Sequence, residues 1–120
     1  MNREEILYFL AHPDRDGDLF QKAEGVCRDR CGDTVHIRGI IEFSNHCCRN
    51  CLYCGLRRDN TNLTRYRMEE GEIVECALRI VSTGIRTVVL QSGDDFYYTP
   101  ETICRIIEKI KAHGDIAVTL

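Results

Sequence analysis

The stretch Val35-His-Ile-Arg-Gly-Ile-Ile-Glu-Phe-Ser-Asn-His-Cys-Cys-Arg-Asn-Cys-Leu-Tyr-Cys-Gly-Leu-Arg57 decides how this chain is read. Its first nine residues are rich in β-branched side chains and poor in breakers, which predicts a largely buried strand over Val35–Phe43. From the end of that strand the chain runs straight into a loop with cysteines at 47, 48, 51 and 54.

Outward from this stretch the pattern alternates. Toward the N-terminus, helices are predicted from about Arg3 to Ala11 and from about Leu19 to Arg30, with a turn over His12–Gly17 between them. Toward the C-terminus, Arg57–Thr64 is a polar loop, and Glu72–Ser82 has apolar residues at helical spacing up to a stop at Gly84. Arg86–Gln91 reads as a second buried strand. Thr99 reads as an N-cap with Pro100 in the first helical position of a helix running to Lys111, and Ile116–Leu120 as a third strand.

Strand, helix, strand, helix, strand is the order of a parallel sheet with right-handed crossovers. A complete (β/α)8 barrel takes roughly 250 residues. The expectation is therefore an α/β chain, the N-terminal part of a TIM-type barrel with about three parallel strands: residues 1–33 a helical extension, residues 34–120 an incomplete barrel. Chemistry in such barrels sits at the C-terminal ends of the strands. Both loops that stand out, the cysteine loop after Phe43 and Gln91-Ser-Gly-Asp-Asp95 after the second strand, fall there.

The chain has 120 residues, 43% hydrophobic and 29% charged, with a net charge of -3 that gives no general attraction to nucleic acid. Nothing approaches the roughly 18 consecutive apolar residues of a membrane span. Met1-Asn-Arg-Glu-Glu5 is polar and no apolar signal core follows it, so the eight cysteines are expected to be reduced, cytoplasmic and available to metal.

Cys47, Cys51 and Cys54 form a Cys-x3-Cys-x2-Cys run: three thiolates with no fourth in register. A [4Fe-4S] cube held by three cysteines keeps one iron open to a substrate or cofactor. A structural zinc site is the rival, because Cys48 and Cys51, and Cys51 and Cys54, are zinc-like pairs that Cys48 or His46 could complete. The cluster is preferred, since no second Cys-x2-Cys pair lies downstream.

With Tyr53 just before the last cysteine, this run resembles the signature of the radical S-adenosylmethionine superfamily. Within it, Val35–Asn45, Cys51–Asn60, Arg65-Tyr-Arg-Met68 and Leu90-Gln-Ser-Gly-Asp-Asp-Phe-Tyr-Tyr98 look most like the [FeFe]-hydrogenase maturases that act on the dithiolate-bridged diiron cofactor. The resemblance covers nearly all of the chain from Gly32 on. It implies a [4Fe-4S] cluster on Cys47, Cys51 and Cys54, and S-adenosyl-L-methionine bound at the open iron and reductively cleaved to a 5'-deoxyadenosyl radical. It implies Tyr53 beside the adenine. Ser92, Gly93 and Asp94 stand where the superfamily has a Gly-Gly-Glu-like turn that receives the methionine ammonium, and Gln91 just before them is expected to contact the same end of the cofactor. Gly93 is expected to let the backbone approach that ligand, and Asp94 stands where Glu is usual.

An electron donor, a small or iron-bound sulfur-containing substrate and other hydrogenase maturation proteins are the implied partners. The alternatives are another small-molecule radical enzyme, biotin-synthase-like or a methylornithine-type mutase, and an inactive fragment or zinc-binding module. The 120-residue chain alone is expected not to complete turnover.

Other residues read as structural. Cys48 is expected to pack under the loop, Cys27 and Cys31 to share a helix face, and Cys76 and Cys104 to lie on apolar helix faces. His36 is expected in the core or lumen, and Glu42 as a paired carboxylate near a strand end. Arg49, Arg57, Arg58, Arg65 and Arg67 crowd the cysteine run, either solvated or complementing an anionic assembly.

Overall fold

The computed structural model describes residues 1–120. They form two compact units, Met1–His36 and Ile37–Leu120.

The first unit holds α1 (Arg3–Ala11) and α2 (Asp16–Cys31), joined by a 3-10 turn over Pro13–Arg15. Asn2 and Glu5 close a capping box: the Glu5 amide donates to Asn2 Oδ1 at 2.9 Å and the Asn2 amide to Glu5 Oε2 at 2.8 Å. The second helix starts three residues before the expected Leu19, because Asp16 and Asp18 in its first turn complement the helix dipole. Cys27 and Cys31 do lie on it, but both are exposed.

In the second unit β1 (Gly39–Ser44), α3 (Glu70–Ser82), β2 (Thr87–Ser92), α4 (Pro100–Lys111) and β3 (Ala117–Thr119) follow in order. The three strands are parallel in the sequential order β1-β2-β3. Ile41 and Phe43 from β1 and Val88 and Leu90 from β2 join Ile73 and Ala77 of α3 and Ile106 and Ile110 of α4 in one core, with Ile116 ahead of β3. Sequential strand order with both helices packed into one core is the winding of a barrel, and a doubly wound sheet would reverse.

The strands are less buried than expected. The second strand buries alternate residues, Val88 and Leu90, and in the first Ile41 and Phe43 are at 5% and 4% exposure while Ile40, just before them, is at 55%. The first strand also begins at Gly39 instead of Val35: Gly39 aligns with Val88, and β2, starting at Thr87, offers nothing to pair with what precedes Arg38. Val35, His36 and Ile37 are therefore exposed, which corrects the core or lumen reading of His36.

Both helices carry the punctuation read from sequence. In α4, Thr99 Oγ1 accepts the Thr102 amide at 3.3 Å and Pro100 occupies the first turn. After α3, Gly84 takes φ +92, a left-handed conformation suited to glycine. Gly39 is needed for a different reason: a Cβ there would sit 2.3 Å from Ile80 Cγ2, so α3 rests directly on the strand backbone. Cys76 is half-buried against the core, whereas Cys104 is exposed. No helix is long and apolar enough to cross a membrane.

Candidate functional site at the strand ends

The C-terminal ends of β1 and β2 lie side by side, and a bulge shapes the first of them. Glu42 aligns with Gln91 but Ser44 with Ser92, so Phe43 is an extra residue in the ladder. The extra residue turns Ser44 inward. It is 1% exposed, although simple alternation would put it on the open face with Ile40 and Glu42.

Ser44 meets a buried carboxylate. Its hydroxyl donates to Asp95 Oδ2 at 2.7 Å, Arg67 donates to both Asp95 oxygens at 2.8 and 2.9 Å, and the Tyr97 amide donates to Oδ1 at 3.2 Å. The Arg67 guanidinium lies 4.7 Å from the centre of the Tyr97 ring. The side chain of Asp95 is 4% exposed, and Arg67 above all, with Ser44 and Tyr97 assisting, holds its carboxyl down at about 2 against the burial that opposes ionisation.

The segment Thr64–Met68 covers the free edge of β1. The Met68 amide donates to Phe43 O at 2.9 Å, and the Asn45 side chain donates to Thr64 O at 2.8 Å and accepts the Tyr66 amide at 2.7 Å. Arg65 reaches back from this segment into the loop after the cysteines. Its guanidinium donates to the carbonyls of Asn45, Leu56 at 2.9 Å, Arg57 at 2.7 Å and, more weakly, Asn60 at 3.4 Å.

The cysteine loop is closed on itself as well. The Arg58 amide donates to Arg49 O at 2.7 Å, the Cys54 amide to Cys51 O at 3.1 Å, and Asn50 Nδ2 to Asp59 Oδ2 at 2.6 Å. Cys47 and Cys54 are half-buried and Cys51 is exposed. The Cys47 sulfur accepts the Arg49 amide at 3.4 Å. By chemistry the three thiols on one closed loop fit an iron-sulfur cluster, though no three His, Cys, Asp or Glu side chains converge as a preformed metal cage. Cys48 does not pack under the loop as expected but is exposed; partial loss of water and the facing Asp94 carboxylate raise its thiol pKa, which disfavours the thiolate a metal needs.

The turn after β2 is pressed against this loop. The Cys48 amide donates to Asp94 O at 2.9 Å, Arg49 Nε donates to Asp94 Oδ2 at 2.5 Å, and the Gly93 amide donates to Ser44 O at 3.3 Å. A Cβ on Gly93 would lie 2.2 Å from His46 O and 2.7 Å from Cys47 Cβ. The close approach expected at Gly93 is thus to the cysteine loop itself.

Gln91 and Ser92 line a small cleft with Glu42, Ser44 and Asn45 at the strand ends. A neighbouring open cleft is lined by Cys47, Cys48, Arg67 and Asp94. Glu42 is exposed and has no ion-pair partner, which corrects its reading as a paired carboxylate. Tyr53 is 93% exposed and lines neither cleft.

The arginines are not simply solvated, since each makes a contact within the protein. Arg49, Arg58 and Arg67 each bond an aspartate, Arg65 bonds carbonyls, and Arg57 donates to Cys54 O at 3.3 Å. Asp95 and Ser44, the centre of this scaffold, were not singled out from sequence. The only signal was position: a carboxylate next to the expected turn and a hydroxyl at a strand end.

No protein-family model matches the chain. It is 59% identical over 102 residues to the [FeFe] hydrogenase maturase subunit HydE of Thermotoga maritima, covering 85% of this chain and 29% of that protein. Among solved structures it is similar to methylornithine synthase (PylB), with a TM-score of 0.74 and 26% identity over 84% of this chain and 30% of that one. It is also similar to the FeFe-hydrogenase maturase HydG from Carboxydothermus hydrogenoformans, with a TM-score of 0.69 and 31% identity over 84% of this chain and 24% of that one. The chain thus spans less than a third of each of these proteins, and over that span it resembles the hydrogenase maturases and has the α/β fold of a radical S-adenosylmethionine barrel segment.

Proposed function

We propose that the chain belongs to an enzyme in which Cys47, Cys51 and Cys54 hold a [4Fe-4S] cluster, with S-adenosyl-L-methionine beside it, working in [FeFe]-hydrogenase cofactor maturation. When bound, the cluster supplies the electron that splits the sulfonium into methionine and a 5'-deoxyadenosyl radical. The remaining work falls to the chain. Gln91 and Ser92, with Gly93 and Asp94 behind them, offer polar groups and backbone carbonyls for the methionine ammonium, and Tyr53 offers a ring for the adenine. Residues 34–120 carry this site, residues 1–33 precede it, and the rest of the enclosure and the contacts to a sulfur-containing or iron-bound substrate and an electron donor belong to parts of the enzyme outside this span.

The observation that carries the reading is the contact of Gly93 with His46 and Cys47: it joins the cysteine loop and the turn after β2 at the ends of adjacent parallel strands. The 59% identity to HydE favours the maturase over the mutase reading. Anaerobic reconstitution with iron and sulfide tests it. About four irons and four sulfides per chain are expected, lost in Cys47→Ala, Cys51→Ala and Cys54→Ala and kept in Cys48→Ala. One zinc per chain, or a full cluster in the Cys51 variant, refutes the assignment.

A further inference from the structure

We infer that Arg49 and Asp94 form a positioning pair that holds the cysteine loop against the turn after β2, so that the Asp94 carboxylate serves the cofactor through the loop and does not itself receive the methionine ammonium. The inference rests on the cluster reading above and concerns the same site.

Three observations carry it. The Asp94 carboxylate is already committed: Arg49 Nε donates to it at 2.5 Å from within the cysteine run, between Cys47 and Cys51. The backbone repeats the connection, since the Cys48 amide donates to Asp94 O at 2.9 Å. The two loops also touch without a side chain between them, because a Cβ on Gly93 would meet His46 O and Cys47 Cβ. An ion pair here therefore fixes the chain on both sides of a cluster ligand.

The groups left for an ammonium lie one step back along the chain. Gln91 and Ser92 line the strand-end cleft, whereas Asp94 lines the neighbouring one beside Cys47 and Cys48 with its carboxylate bonded to Arg49.

The pair is at the surface, with side chains 67% and 36% exposed, so its loss should leave the global unfolding midpoint nearly unchanged and act locally. The test uses the full chain and the variants Arg49→Ala, Asp94→Ala and the exchanged pair Arg49→Asp with Asp94→Arg. In the metal-free chain, amide hydrogen exchange at Cys48 should quicken about two- to fivefold in either single variant and return toward wild type in the exchanged pair. After reconstitution, either single variant should lose iron to a chelator several-fold faster, while S-adenosylmethionine titrated against the remaining cluster binds within about twofold of wild type.

Unchanged Cys48 exchange in both single variants overturns the inference. So does a tenfold loss of S-adenosylmethionine affinity in Asp94→Ala with iron retention intact, which would make Asp94 a direct contact. A wild-type chain that takes up no cluster overturns the cluster reading instead, and the exchange measurement then decides the positioning claim by itself.

Discussion

Replacing Asp95 by Asn should remove about 2 kcal/mol from the stability of this chain at neutral pH, and acid should erase the difference. The carboxyl titrates at about 2 in the folded chain against an ordinary 3.8, because Arg67 grips both oxygens and Ser44 and Tyr97 donate to them. Each pH unit of such a depression is worth about 1.4 kcal/mol, about 2.5 in all, of which residual solvent screening leaves about 2. With 4% of the side chain exposed, solvent screens little of this.

The sign follows from the direction of the shift. A carboxylate that is easier to ionise when folded stabilises the fold above the unfolded value, so the contribution is complete at pH 5 and above. It falls away as pH drops from about 4 through about 2. An amide in its place carries no charge and aims an NH2 group at one of the donors, so the variant starts at the acid level and lacks this segment of the pH dependence. Urea unfolding of both proteins at pH 7, 4, 3 and 2 measures it. Curves that stay parallel down to pH 2, or a neutral-pH difference below about 0.5 kcal/mol, would refute the claim that Asp95 anchors the site.

Two further substitutions probe the scaffold. Arg65→Lys should cost about 1–3 kcal/mol and leave the cysteine loop more open to protease, because an ammonium cannot reach the carbonyls of Asn45, Leu56 and Arg57 together; unchanged cleavage would argue that the loop holds itself. Gly39→Ala should cost about 1–3 kcal/mol by thermal unfolding, since the new methyl falls within 3 Å of three atoms of Ile80, a β-branched residue with little rotamer freedom; a neutral result would mean that α3 lifts off the strand cheaply.

What sequence revealed, and what it concealed, divides along a physical line. Features set by neighbours in the chain were legible: α4 from its Thr99-Pro100 start and its recurring isoleucines, the stop of α3 at Gly84, and the parallel order from strand-helix alternation. Features set by a distant partner were not. β1 starts at Gly39 because β2 begins where it does, 48 residues later in Thr87. Gly93 was read as a close backbone approach to a ligand, and only the fold reveals that its missing side chain also lets His46 and Cys47 press against it. The arginines around the cysteines posed the same difficulty, since a guanidinium looks equally free in sequence whether it faces water, an anion or Asp95.

That last case bears on how the site works. The cysteine loop and the turn after β2 have no apolar core of their own: Leu52, Tyr53, Phe96 and Tyr97 all point largely into the open. Their arrangement must then come from polar contacts between positions far apart in sequence, Ser44 and Arg67 with Asp95, Asn45 with Tyr66, and Arg49 with Asp94. These contacts differ in burial and so in stiffness. Asp95 is enclosed and charge-paired, so the backbone at the strand ends is fixed before any cofactor arrives, whereas the Arg49–Asp94 pair lies in water and yields at little cost. A loop set on a rigid base, and tied to the turn after β2 by an exposed ion pair and a backbone hydrogen bond, can adjust its three sulfurs to a cluster without disturbing the sheet, which is what a chain needs whose thiols are on one loop but not yet gathered.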